Sequence, residues 1–396
     1  MNPDPVVLPP ADAVADAPPS PQQLARARWA TRAQFAALGL LAGAWGVHIP
    51  SVKAHYQLDE FNLSLMLLAG GCGAVSMLFV AGRAIGRFGA RRGAAMAGLA
   101  VCAALMLVLA WAGIVPLLLT MLLLGAGMSL FDVAINAEGT ALESLGGRSV
   151  MSNLHAMFSV GGMAGAGLTS LLLRAGVAPL LQLLLVGSAV AVLIVVASRS
   201  MLEVHPRDDS LPQAHFAWPR GQLLVIGLLV FCGMTAEGVM YDWSVLYLEQ
   251  QVLMSQAQAG LGYAAFAAAM AATRFAGDAL RSRFAERRVL GFGAAVAATA
   301  MAIVLVSGHP LLSVVGFALV GAGLAPVVPI LFSAATRVRG VSRAAAIASA
   351  SSVGYVGFMV GPPLIGGIAH ASSLTIALGV VVVAAALLAI GARRIP

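Results

Sequence analysis

The chain has 396 residues, of which 60% are hydrophobic and only 10% charged, and its mean hydropathy is +0.92. Soluble domains carry about 25% charged residues, so this composition excludes an ordinary water-facing surface and predicts an all-α polytopic membrane protein. The formal charge of +7 does not point to a nucleic-acid partner, because the basic residues sit in short loops between apolar runs.

Residues 1–24 are rich in Pro, Ala and Asp and lack an apolar period. A disordered tail is predicted there, running to residue 30. It is not a signal peptide, since the basic residues and the first apolar run come later. A spanning helix needs about 20 apolar residues. Runs of that kind are predicted at about 33–54, 62–83, 93–113, 116–140, 149–173, 178–199, 221–248, 256–279, 288–307, 310–335, 344–369 and 373–392. Gly113 to Pro116 and Gly308 to Pro310 supply the two narrowest breaks. The 44 glycines suit close helix packing in lipid. Cys72, Cys102 and Cys232 lie within apolar runs and show no disulfide or metal spacing, so no metal or other cofactor is expected.

Placing the N-terminus in the cytoplasm puts every Lys and Arg except Lys53 and Arg174 on cytoplasmic segments. This positive-inside pattern supports the count of twelve, because one missed helix would invert every later loop. The longest loop between runs, 200–220, divides the chain into a first half, 31–199, and a second half, 221–396. The halves resemble each other. GRAIGRFGARR at 82–92 follows the second run, and GDALRSRFAERR at 277–288 follows the eighth. Arg148 is matched by Arg343, and Trp45 by Trp243. Parallel six-helix repeats are a transporter architecture with the substrate site between the halves.

On these residues the chain, over about 30–394, resembles the major facilitator superfamily. The two basic loops are similar to that family's loop signature. The second copy keeps its acidic residue as Asp278, whereas the first has Gly86 near that place. The resemblance implies twelve transmembrane helices in two pseudo-symmetric six-helix bundles, working as a monomer. It makes Arg87, Arg91, Arg92, Asp278, Arg283 and Arg287 the residues of the gating loops. Asp132 and Asn136, followed by Asn153 and His155, also resemble the fucose-permease-like branch of sugar–proton symporters, which implies Asp132 as a proton site. Asp242, Trp243 and Ser244 are similar to an Asp-Trp-Ser run found in a group of bacterial transporters.

Polar residues within the runs are the candidates for function, because an ionisable group inside a spanning helix costs on the order of 3 kcal/mol. Two runs joined by a short turn, at Gly125 to Gly167, carry Asp132, Asn136 and His155. Asp132, Asn136 and Glu143 form one stripe, with Glu138 turned away. Asp132 reads either as a proton-binding carboxyl or, with Asn136, as interhelical hydrogen-bonding glue. Asn136 equally suits substrate contact. Glu143 reads as an interfacial charge near Arg148. His155 shares a face with Ser159 and reads as a partner of Asp132 or of substrate, as a proton relay, or as a neutral histidine bonded to a carbonyl.

In the seventh run Glu237 lies near mid-span with Tyr241 on its face. Asp242 is about 140° away from Glu237 on a straight helix and is placed near an outer gate. The flanking Gly233 and Gly238 suit local unwinding, without which both acids cannot face one cavity. Trp45 and His48 offer an aromatic and polar platform for a sugar ring, or plain packing beside the Pro50 kink. Tyr355 is a candidate cavity residue. Pro326 and Pro329 predict a break in the tenth run, and Gly361-Pro362-Pro363 one in the eleventh. Val327, Leu331 and Ala350 stand one repeat after Asp132, Asn136 and His155. Protonation is therefore expected on the first half, with binding and gating on the second.

The expected function is secondary active transport of a small polar, sugar-like organic solute by proton-coupled alternating access. Proton coupling falls to Asp132 and His155. Substrate binding falls to Asn136, Trp45, His48, Ser159, Glu237, Tyr241 and Tyr355. The alternative is a proton-antiport exporter of drugs or metabolites. An enzyme is not expected, because the polar residues spread at mid-depth instead of clustering at one membrane face. No ATP-binding Gly-x-x-x-x-Gly-Lys-[Ser/Thr] run exists. The expected partners are a small-molecule substrate, the proton and the lipid bilayer. The expected location is the cell inner (plasma) membrane, with both termini cytoplasmic.

Overall fold

The computed structural model describes residues 19–147, 150–203, 219–338 and 341–395, without the side chains of Asp278, Arg343 and Ala344. The described residues form α-helices with no strand among them. The first half contains α1 (Pro21–His55), α2 (Glu60–Phe88), α3 (Ala90–Leu107), α4 (Ile114–Gly146), α5 (Met151–Arg174) and α6 (Pro179–Ser198). The second contains α7 (Gln222–Gln250), α8 (Gln256–Phe275), the short α9 (Gly277–Arg283), α10 (Glu286–Ser307), α11 (Pro310–Leu324), α12 (Val327–Ala335), α13 (Arg343–Ala371) and α14 (Leu374–Gly391).

Eleven spans, with α11 and α12 joined, are long and apolar enough to cross a membrane. The twelfth is α8, whose 20 residues are rich in Ala and Gly. It packs on α5, α7 and α11 and so needs less of an apolar exterior. The first helix starts earlier than its apolar run. Ser20 and Gln23 form a capping box, with Ser20 Oγ accepting from the Gln23 N–H at 3.2 Å. Residues 21–30 of the expected tail are therefore helical. Most of that tail, most of the 200–220 loop and Arg148 lie outside the described residues.

The same pairings recur in both halves. In the first, α1 packs on α5 and α6, α2 on α4, and α3 on α4 and α6. In the second, α7 packs on α13 and α14, α8 on α11, and α10 on α11 and α14. Each pair maps onto its counterpart one repeat later, so the bundles are pseudo-symmetric. The seams between them obey the same symmetry, with α5 against α8 and α2 against α13. Glycine makes the tight crossings, since a Cβ on Gly39 would strike the Phe158 carbonyl and one on Gly161 that of Ala36.

These pairings separate two elements that the sequence joins. Only four residues separate α4 from α5 in sequence, yet α4 lies chiefly on α2 and α3, whereas α5 lies on α1 and α8. The breaks also fall differently from expectation. Pro326 does interrupt the tenth span, in the turn between α11 and α12. By contrast, α13 runs through Pro362 and Pro363, and α7 is one continuous helix. Gly233 and Gly238 do not unwind α7. A Cβ there would lie 2.6 Å from Val327 and 2.8 Å from Phe358, so they serve close packing.

Candidate functional site

A cavity of about 350 Å³ lies between the halves, walled by α1, α2, α4, α5, α7, α8 and α13. Asp132 lies on its wall from α4 and Asp242 from α7. Trp45, Phe158, Tyr241, Tyr263, Tyr355 and Phe358 give it an aromatic lining. No Lys, Arg or His is among the described residues that line it. The rest of the wall is aliphatic or Gly, apart from Ser129, whose buried Oγ has no hydrogen-bond partner.

Asn136 Nδ2 donates to Asp132 Oδ1 at 3.0 Å and to the Asp132 carbonyl at 2.9 Å. It sits one turn further along the helix and is not a wall residue, so it acts on Asp132 and not on the cavity. Asp242 is the larger departure from expectation. It faces the cavity beside Tyr241, and α7 does not break to put it there. The unbroken helix instead turns Glu237 away. Glu237 is 9% exposed and forms an ion pair with Arg274 of α8, Nη2 to Oε1 3.1 Å. The same oxygen accepts from Tyr241 Oη at 3.1 Å.

Arg274 also donates from Nη1 to Ser159 Oγ of α5 at 2.7 Å. The arginine thus joins both halves across the α5–α8 seam. The positive-inside count placed it in a loop. Side chains lean toward the N-terminal end of their helix. At the end of α8 that lean carries the guanidinium back into the membrane. The signal was present in the sequence, because Arg274 falls inside the predicted 256–279 run and an intramembrane acid needs a partner.

Several other expected site residues lie off the cavity wall. His155 does not meet Asp132, because α5 is turned toward α1 and α8. Its ring packs edge-on to Phe35 at 5.3 Å between centroids. His48 is fully buried within the first half, with Nδ1 3.4 Å from Ser51 Oγ. Ser159 is taken up by Arg274. Among the expected substrate residues, Trp45, Tyr241 and Tyr355 do line the cavity. Glu143, expected as an interfacial charge, accepts from the Val150 and Met151 N–H groups at 2.6 and 3.0 Å and caps α5. Buried Glu138 accepts from the Leu202 N–H at 2.8 Å.

The arginine-rich loops contain their own ion pairs. Arg91 meets Glu203 at 2.6 Å, an acid supplied by the central loop where the first signature copy lacks one. In the second half Glu286 holds Arg281 and Arg337, each at 2.7 Å. Glu286 was not singled out in the sequence, and the side chain of Asp278 lies outside the described residues. Arg87 lies 5.5 Å over the Phe88 ring. Arg92, Arg283 and Arg287 are exposed.

On the opposite face the halves are fastened together. Gln256 Nε2 donates to the Val47 carbonyl at 2.8 Å and to Ser51 Oγ at 2.7 Å. A Cβ on Gly366 of α13 would strike Ser64 of α2. On each of these four helices the contact lies beyond the cavity residues toward that face: Ser51 past Trp45, Ser64 before Leu67, Gln256 before Tyr263 and Gly366 past Pro362. These contacts hold the halves together on that side of the cavity.

Comparison with known proteins agrees with this architecture. The family model for the Major Facilitator Superfamily matches residues 223–396. An uncharacterized MFS-type transporter of Yersinia pestis is 35% identical over 367 residues, covering 92% of this chain and 94% of the relative. Among solved structures, FucP in an outward conformation superposes with a TM-score of 0.66 at 18% identity, over 92% of this chain and 97% of its own. A D-xylose–proton symporter superposes with a TM-score of 0.74 at 13% identity, over 94% and 98%. Taken with the repeated helix pairings, the relative's identity over nearly the whole length shows that this multi-pass membrane protein belongs to the major facilitator superfamily of transporters.

Proposed function

We propose that the protein is a proton-coupled symporter of a small polar organic solute, working by alternating access. One observation carries this reading: Asp132, an intramembrane acid, lies on the wall of a cavity between two pseudo-symmetric bundles. The volume falls within the roughly 300–1,000 Å³ of small-molecule sites. A carboxyl there can be reached from one side only at a time, as coupling requires. Asp132 takes the proton, and Asn136 orients its Oδ1. Trp45, Tyr241 and Tyr355 supply flat faces to the solute, while the Tyr241 hydroxyl is held by Glu237. FucP is a fucose:proton symporter of E. coli, and the xylose symporter shares the fold, which supports a sugar-sized cargo.

The arginine-rich face is taken as cytoplasmic on the positive-inside rule, placing both chain ends inside the cell at the plasma membrane. The contacts made by Gln256 and Gly366 then hold the halves together on the exterior side. The test is uptake into proteoliposomes with an imposed pH gradient, using radiolabelled L-fucose, D-xylose and D-glucosamine. Uptake above the equilibrium level is expected in the wild type and absent in Asp132→Asn. Equal accumulation in both rejects the coupling role. Accumulation only when the vesicle interior is the acid side favours the exporter.

A further inference from the structure

The charges around the central cavity do not balance. Arg274 and Glu237 neutralise each other beside it. Asp132 and Asp242 remain, one from each half, and no basic residue lines the wall. Asn136 engages Asp132. Asp242 accepts no hydrogen bond and forms no ion pair with any described residue. A carboxyl withdrawn from bulk water without a partner is costly, on the order of several kcal/mol. That cost is relieved by protonation or, as the lining around it favours, by a ligand that brings its own positive charge.

The aromatic wall points the same way. Ring faces attract cations, by about 2 kcal/mol when the site is desolvated. Tyr241 and Tyr263 stand 5.6 Å apart between centroids beside Asp242. Trp45 and Tyr355 close the cavity from the other elements. A neutral sugar offers Asp242 hydroxyl donors but no counter-charge. A protonated amine would supply both a counter-charge and charge-assisted hydrogen bonds, with the rings of Tyr241 and Tyr263 beside it.

We propose that Asp242 is the anchor for a cationic substrate, a small hydroxylated solute bearing one protonated amine. This rests on the transporter reading and deepens it. Two carboxyls then have two tasks: Asp132 carries the coupling proton and Asp242 the charge of the solute.

The test is equilibrium binding to the purified full-length protein, followed by tryptophan fluorescence. Three amines are matched with neutral counterparts: D-glucosamine with D-glucose, D-galactosamine with D-galactose, and ethanolamine with ethylene glycol. At least one amine is expected to bind tenfold or more tightly than its counterpart. Asp242→Asn should remove that preference and Asp242→Glu should retain it, which separates a lost charge from a misfolded chain. The assignment is overturned if no amine binds, if each neutral partner binds as well as its amine, or if the preference survives in Asp242→Asn. Failure here leaves the coupling reading standing wherever Asp132→Asn still abolishes pH-driven uptake. Conversely, an amine preference alongside unchanged uptake in Asp132→Asn removes the coupling role alone.

Discussion

At Arg274 a single guanidinium ties α8 to α7 and α5, and so one half to the other. Removing it strands Glu237 in the membrane without a counter-charge. Breaking a buried ion pair by truncating one partner costs about 3–5 kcal/mol. Arg274→Ala should therefore lower the thermal stability of the purified protein sharply, and Glu237→Gln in the same chain should restore most of it, because the uncompensated charge is gone. Additive losses in the double variant would show that the pair does not act as a unit. The sequence makes Asp132 conspicuous, because an acid in an apolar run has no bland surface to occupy. Arg274 is hidden by its place at the end of a run, where it looks like any loop arginine. Asp242 is misplaced for a related reason. Its angle was measured from Glu237 on the assumption that Glu237 faces the cavity, and the ion pair with Arg274 reverses which of the two does.

Helices one to six and seven to twelve are legible from run length and the alternation of basic loops. Their packing partners are not, because they are seldom neighbours in sequence: α1 seeks α5 and α2 seeks α13. That is why the α4–α5 hairpin did not become a site, and why His155 and Asp132 part company. Glycine is ambiguous in the same way, since one residue type permits both unwinding and close approach. At Gly366 close approach decides the matter, because Ser64 leaves no room for a side chain. Gly366→Val should wedge α2 from α13 and open the face opposite the arginine-rich loops. The readout is labelling of a Trp45→Cys variant by a membrane-impermeant thiol reagent added from outside intact cells. Faster labelling with Gly366→Val is expected, and no change would mean that this contact does not seal the cavity.

For the whole molecule, the repeat near 195 residues is readable from the basic segments 82–92 and 277–288, with Arg148 and Arg343 in step. The asymmetry inferred from Val327 and Leu331 was readable only in part, because the second half places Asp242, not a counterpart of Asp132, on the shared cavity. With a proton on one acid and a cationic solute on the other, each cycle moves two positive charges. Each charge contributes about 2.3 kcal/mol per 100 mV, so an inside-negative potential should drive amine uptake without any pH gradient. In Asp132→Asn that dependence should fall to the level of one charge, measured as the slope of accumulation against an imposed potassium potential. A slope of zero in the wild type would exclude net charge movement.

The account stands or falls on Asp132 as the group that links solute movement to the proton. The direct measurement is solute-induced alkalinisation outside proteoliposomes, recorded with a pH electrode as a transported solute is added. The account predicts an alkaline shift in the wild type and none in Asp132→Asn, while counterflow of the same solute persists in both. An equal shift in Asp132→Asn would contradict it.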